Sequence, residues 1–385
     1  MLLSSIPQQQ QQQPRPLTSP YSYQHHHIIH SNIINSNLSN NNNTHTRHQS
    51  DSSSSNTSTS SSPPTKYNKR TLQQYRQEHL DNMSITVEEY EDVLNAEVWI
   101  EVNKLRDYAR HGISREVRGE VWLYLLGIQE ADRSKEISTQ KQKLQEYELI
   151  DKDPNEMTKR VRGEISRYLR KTNIESSRNM PRLFEDVISA YCNHNHRVEY
   201  YPAMVNLCAP FIYSVKRECD AFLCFEKMIN TLDDHFSSRS INESVASFMT
   251  LFRTCIPDLY SYFEEEEVDI KEWAASALQF VLSRELSLEN TMRLWDTYFA
   301  VPDWIELHPF FCLAVLRHLK ENLEELEQSE IRTMLMRLPP LDMDQVRNEF
   351  HFFFFELLCL SIDLLQPEWM TWILTLLYPS TALCY

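Results

Sequence analysis

Between positions 159 and 171 stand six basic side chains, Lys159, Arg160, Arg162, Arg167, Arg170 and Lys171, opposed within the stretch only by Glu164. Guanidinium groups suit bidentate contacts with phosphate and carboxylate oxygens, so the stretch reads as a patch for a phosphate-bearing or acidic partner. The same pattern of charge is carried by the solvated face of an amphipathic helix, and on charge alone both readings stand.

Other clusters carry less chemistry. Cys192, His194 and His196 alternate with asparagines, but side chains two apart on a helix point in nearly opposite directions and cannot converge on one ion. We read that segment as the polar end of a helix and its loop, and Glu264 to Glu267 as a solvated acidic surface. The chain has no H-E-x-x-H pair and no Ser/His/Asp arrangement.

Glycine is scarce: the 385 residues contain four, Gly112, Gly119, Gly127 and Gly163. None is spaced as in a phosphate loop, a dinucleotide fingerprint or a G-x-S-x-G elbow, so the chain is not expected to cradle a nucleotide itself. A net charge of −16 argues against non-specific nucleic-acid binding. The eight cysteines form no C-x-x-C pair, and no cleavable signal pattern is read at the N-terminus. They are expected to be reduced core thiols in a cytoplasmic protein.

The elements that must position these groups are helices. Ile113, Val117, Val121 and Leu125 recur one turn apart, with Trp122 and Leu126 widening the face, Ser114 placed to cap the start and Gly127 to end it. Similar periodicity runs through 165–169, 183–191, 203–215, 221–232, 245–252, 273–282, 288–299, 310–326 and 331–338, while no alternating strand run carries a hairpin dipeptide. The fold class is therefore all-α. Pro154, Pro181, Pro257, Pro302, Pro309 and Pro339-Pro340 are expected to mark its connections. Residues 1–85 are a Gln-, Asn-, Ser- and His-rich tail expected to be disordered. Residues 341–385 are an apolar end whose Phe350 to Leu365 stretch reads as a buried helix, too short and too interrupted to span a bilayer.

Two blocks carry a resemblance. Gly112-Ile113-Ser114-Arg115-Glu116-Val117-Arg118-Gly119-Glu120-Val121-Trp122 resembles the opening motif of the TBC domain, the family of Rab GTPase-activating proteins. Arg293-Leu294-Trp295-Asp296 resembles that family's R-[IL]-W-D motif. Their separation implies one TBC-like helical domain over about 98–340. Within it Arg118, Gly119, Trp122, Arg293, Trp295 and Asp296 are expected to be structural, with the tryptophans in the core and Arg293 near enough to Asp296 to pair.

The resemblance implies an arginine and a glutamine supplied in trans to a GTP-loaded Rab. The first stabilises charge on the transferred phosphoryl group and the second positions the attacking water. GTP and Mg²⁺ then belong to the partner, and the chain needs no cofactor of its own. The family's finger motifs are I-x-x-D-x-x-R and Y-x-Q-G-M. Along Ile165 to Thr172, Tyr168 stands for the aspartate and Lys171 for the arginine, with Arg170 beside it as a substitute finger. In the second, Tyr200 and Met204 match while Pro202 stands for the glutamine and Ala203 for the glycine. Arg160, Arg162 and Arg167 become partner-binding candidates. The expected function is regulation of Rab-type GTPases in membrane traffic, in the cytoplasm, with recruitment to endomembranes through the partner. Three forms stay open: an activator with Arg170 or Lys171 as finger, a binding module that does not accelerate hydrolysis, and a helical adaptor without a GTPase.

Overall fold

A computed structural model describes residues 85–153, 156–172, 179–195 and 198–350; the expected tail, up to residue 84, and the apolar end beyond Phe350 lie outside the described residues. The first helix, α1 (Val87–Leu94), is set by a reciprocal cap in which the Thr86 hydroxyl accepts from the Glu89 N–H and the Glu89 carboxylate accepts from the Thr86 N–H. After it come α2 (Val102–Ala109), α3 (Arg115–Leu125), a single 3₁₀ turn (Arg133–Lys135), α4 (Glu136–Glu148), α5 (Glu156–Thr172), α6 (Met180–His194), α7 (Met204–Ser214) and α8 (Glu218–Ser238). The chain continues through α9 (Ile241–Cys255), α10 (Pro257–Glu265), α11 (Lys271–Gln279), α12 (Leu288–Phe299), α13 (Trp304–His318), α14 (Lys320–Leu323) and α15 (Gln328–Met336). Among the described residues β structure is confined to an isolated bridge between Trp99 and Asp132.

The expected helix boundaries hold best where a cap enforces them. Ser287 accepts from the Asn290 N–H and starts α12 at Leu288, as the periodicity predicts. Gly127, with φ +71°, ends α3 in the left-handed conformation that glycine adopts without strain. Ser114 does sit at the N-cap of α3, but its hydroxyl makes no capping bond. The run 273–282 stops early, at Gln279, because Val281 and Leu282 are buried with φ of 53° and 58°. Pro309 lies inside α13, where the buried side chains around it outweigh the loss of one backbone donor. Pro181 and Pro257 occupy first turns, where the missing N–H has no intrahelical partner to lose.

The two motif helices, α3 and α12, meet over α7. Trp122 packs edge-on to Phe299 and Phe211 with ring centroids 5.2 and 5.7 Å away, and Phe211 lies 5.4 Å from Trp295. Gly119 makes the approach of α3 to α7 possible: a Cβ there would stand 2.0 Å from the Ser214 carbonyl oxygen. Under this aromatic cluster the buried Asp296 carboxylate accepts from the Ile113 N–H at 3.0 Å, from Trp122 Nε1 at 2.9 Å and from Arg118 Nε at 3.0 Å. The expected Arg293–Asp296 pair is not formed. Asp296 turns into the core toward these three donors, while Arg293 donates to Thr297 Oγ1 at 3.0 Å and to Asp344 at 2.5 Å.

Packing extends on both sides of 98–340. Tyr90 of α1 is buried and donates to the Gly112 carbonyl at 3.0 Å. Residues 343–350 are helical, and Phe350 stacks on Phe311 at 4.0 Å.

Candidate functional site

The basic stretch forms α5, a helix because its apolar positions fall on one stripe: Thr158, Val161, Ile165 and Tyr168 are buried, at spacings of three and four. The charged residues then face outward. Three of them are neutralised within the fold. Lys159 pairs with Glu156 at 2.7 Å, Arg162 grips Glu185 of α6 through Nε at 2.5 Å and Nη2 at 2.7 Å, and Arg167 pairs with Glu164. Arg160, Arg170 and Lys171 are exposed and have no carboxylate partner among the described residues. Arg170 and Lys171 occupy the last turn of α5.

The Tyr200 to Met204 segment leads into α7. Tyr200 is buried, with the Arg160 guanidinium 5.7 Å from its ring centroid, a cation–π contact that ties this segment to the first half of α5. The Tyr200 hydroxyl finds no hydrogen-bond partner among the described residues, and burial and the charge of Glu164 push its pKa up. Pro202 is exposed, and its carbonyl accepts the Val205 N–H at 3.2 Å. Ala203 and Met204 are buried behind it. Tyr168 is buried as well, 5.9 Å from Phe184, in keeping with an apolar inner stripe rather than a carboxylate at that position.

The structure therefore places Arg160 against Tyr200, while Arg170 and Lys171 follow ten and eleven residues further on, about 15 Å along the helix axis. One cation near this segment was not legible in the charge pattern. Arg284, exposed in the turn between α11 and α12, lies 5.5 Å from the centroid of Phe280, and Phe280 packs on Tyr201 with centroids 5.8 Å apart. An isolated arginine outside any basic run gives no sequence signal; its place follows from the left-handed turn that carries it.

The remaining candidates are ordinary structure. Cys192 ends its side chain 3.9 Å from the Met204 sulfur, and burial pushes its thiol up to about 12. His194 is exposed at the end of α6, and His196 lies outside the described residues. No group of three His, Cys, Asp or Glu among the described residues could hold a metal ion. Cys208, Cys219, Cys224 and Cys312 are buried free thiols, while Cys359 and Cys384 lie outside the described residues. Glu264, Glu265 and Glu267 are exposed, as an acidic surface requires.

Residues 115–324 match the model of the Rab-GTPase-TBC domain, more than half of the chain. The chain is 24% identical over 295 residues to the GTPase-activating protein gyp1 of Schizosaccharomyces pombe, covering 66% of this chain and 57% of that protein. It is likewise 24% identical over 284 residues to human TBC1 domain family member 22B, covering 65% and 56%. The chain thus spans a little over half the length of these relatives. In fold it is similar to the crystal structure of the Ypt/Rab-GAP domain of Gyp1p, at a TM-score of 0.60 and 19% identity over 73% of this chain and 99% of that one. The Chlamydomonas flagellar RabGAP TBC domain aligns at a TM-score of 0.55 and 20% identity over 76% and 97%.

Proposed function

The chain belongs to the Rab-GTPase-TBC domain family, and from that premise we propose that it engages a Rab-type GTPase in the GTP form and stimulates hydrolysis in trans. The observation that carries this reading is the pair Arg170 and Lys171, exposed on the last turn of α5 with no carboxylate of the described residues to neutralise them. Lys171 holds the arginine position of the first finger motif. It keeps the charge needed beside a transferring phosphoryl group but lacks the planar fork that contacts two oxygens at once, and Arg170 supplies that fork one residue earlier. GTP and Mg²⁺ come with the partner, and the chemistry occurs on them. The chain's own part is to bind, to bring positive charge to the phosphates and to exclude water other than the attacking one.

A second reading, a module that binds the GTP form without accelerating hydrolysis, is favoured by Pro202. At the position of the family's glutamine it has no amide side chain and no N–H, and its carbonyl already accepts from Val205. In trans arginines contribute about 10³ to 10⁵ in rate, so an altered first finger together with an absent second one is expected to lower the rate steeply. We place the protein in the cytoplasm, recruited to endomembranes by its partner; no helix among the described residues is long and apolar enough to cross a membrane.

The test is single-turnover GTP hydrolysis across a panel of purified Rabs, with and without the full chain. Acceleration of at least one Rab supports the activator. No acceleration of any Rab contradicts the activator; binding that prefers the GTP form then supports the module, and equal affinity for GDP and GTP forms contradicts the module.

A further inference from the structure

Arg284 sits on an unusual piece of backbone. Val281 and Leu282, just before it, both adopt left-handed φ while fully buried, a conformation that a β-branched residue takes only when its surroundings enforce it. Three hydrogen bonds enforce it. The Leu282 N–H donates to the Ala277 carbonyl at 3.0 Å, the Ser283 N–H to the Phe280 carbonyl at 2.9 Å, and Asn206 of α7 donates through Nδ2 to the Ser283 carbonyl at 3.3 Å. The turn is thereby fastened to α7 just beyond the Tyr200 to Ala203 segment, and the Tyr201–Phe280 ring contact fastens it to that segment directly.

The side chain itself is held without a direct ion pair among the described residues. Its guanidinium lies over Phe280 and donates from Nη1 to Ser276 Oγ at 3.2 Å. Ser276 Oγ in turn donates to the buried Glu285 carboxylate at 2.6 Å. Arg284 makes no direct ion pair among the described residues, its charge acts on Glu285 only at longer range, and the side chain is exposed toward solvent. Arg160 on α5 is likewise laid over an aromatic ring, exposed and without an ion pair among the described residues. By contrast Arg162 and Arg167, which lie nearby on α5, are already paired with Glu185 and Glu164. A guanidinium fixed on a ring face has lost much of its rotamer freedom while keeping donors for an external anion, the condition in which a charged contact contributes most to binding.

We propose that Arg284 is a GTPase-contacting residue, acting with Arg160 from a second element beside the Tyr200 to Pro202 segment, and that both take carboxylates on the protein surface of the GTPase. The inference rests on the function proposed above. It adds a residue that lies in neither finger motif, and it assigns to Arg160 rather than Arg162 or Arg167 the binding contribution of the basic helix.

The test is the affinity of the full chain for Rabs loaded with a non-hydrolysable GTP analogue. Arg284→Ala and Arg160→Ala are each expected to weaken binding at least about tenfold and to flatten its salt dependence, with Arg284→Lys retaining part of the affinity and Arg162→Ala changing it little. Melting of the free chain is measured alongside, because Arg284→Ala also removes the contacts to Ser276 and Phe280, and the loss of affinity is expected to persist at a temperature where both proteins are fully folded. If wild-type chain binds and Arg284→Ala binds equally well, the inference falls while the proposed function stands. If wild-type chain binds no Rab of a comprehensive panel, the proposed function falls and takes the inference with it. An Arg284→Ala effect seen only with the GTP form, and absent from the weaker GDP-form binding, would move the contact to the nucleotide phosphate and overturn the assignment to surface carboxylates.

Discussion

Arg118 holds Asp296 through two guanidinium nitrogens, Nε at 3.0 Å and Nη2 at 3.1 Å, across 178 residues of chain. The contact joins α3 to α12, the two helices whose motifs carry the family resemblance. Asp296 is fully buried and Arg118 nearly so, with side-chain exposures of 0% and 12%. The remaining acceptor capacity of Asp296 is used by the Ile113 N–H and the Trp122 indole. The arginine, tryptophan and aspartate of the two motifs are thus accounted for by one buried carboxylate that needs several donors.

Removing the arginine strands that carboxylate. Arg118→Ala is expected to destabilise the fold by about 3–5 kcal/mol, the range for breaking a buried pair from one side, and Arg118→Lys by less. Equilibrium urea denaturation of the full chain, followed by tryptophan fluorescence, measures both. A loss within experimental error for Arg118→Ala would mean that Ile113 and Trp122 alone suffice.

Gly119 offers a steric test of the same junction. A Cβ at this position would stand 2.0 Å from the Ser214 carbonyl oxygen and 2.7 Å from its carbon, both backbone atoms that cannot rotate aside. Gly119→Ala must therefore push α3 away from α7, even though alanine is the better helix former. The expected loss is about 1–3 kcal/mol or more, read as a lowered melting temperature. At Gly163, on the exposed face of α5 with nothing within 4 Å, the same substitution should stabilise slightly.

These junctions show where the sequence was legible. Periodicity locates the helices because burial of one stripe enforces it, and Trp122 and Trp295 lie in the core on that stripe. The partner of Asp296 was not legible, because spacing ranks neighbours on one helix, such as Arg293, above a residue brought in by tertiary packing. The turn at Val281 and Leu282 escaped for a related reason: apolar residues continue the helical pattern, and only the buried contacts of the folded state impose left-handed φ on them. Within the basic stretch, charge alone could not separate Arg162, spent on Glu185, from Arg160, which is not.

The proposed finger residues, Arg170 and Lys171, lead to a kinetic prediction. Arg170→Ala with Lys171→Ala is expected to reduce any observed acceleration of GTP hydrolysis at least tenfold, the lower side of what an in trans arginine contributes. Arg162→Ala serves as the control, since its charge is already neutralised by a bidentate contact. Acceleration that survives the double variant would shift the finger to another cation, of which Arg160 is the first to examine.

On the proposed finger assignment, arginine at 171 and glutamine at 202 should act in the opposite direction. Lys171→Arg returns the planar fork, and Pro202→Gln returns a side-chain amide together with an N–H. Pro202 is exposed and lies just before α7, so glutamine is sterically admissible there. The double variant is expected to raise single-turnover hydrolysis at least tenfold over wild type for a Rab that binds, with each single variant giving part of the gain. No gain, with binding and melting unchanged, would show that these two positions do not meet the nucleotide.

His308 gives the fold a pH dependence of predictable sign. The ring is buried among α11, α12 and α13, with Nε2 2.8 Å from the Ala277 carbonyl and Nδ1 2.7 Å from the Tyr298 hydroxyl. A carbonyl can only accept, so Nε2 carries the proton and Nδ1 accepts from Tyr298, which fixes one neutral tautomer. Burial lowers the pKa of this imidazole from 6.5 to about 4. His111 is lowered to about 4 in the same direction, by burial and then by the nearby Arg347, Arg293 and Arg110. Because the unfolded chain takes up protons first, the contribution of these two imidazoles to stability is complete above pH 6.5 and is lost as pH drops toward 4. The loss expected from His308 is on the order of 3 kcal/mol. His308→Gln keeps a donor for the Ala277 carbonyl but cannot titrate, so its melting temperature should depend less on pH across this window than that of the wild type. Parallel profiles for the two proteins would mean that His308 is not the group responsible.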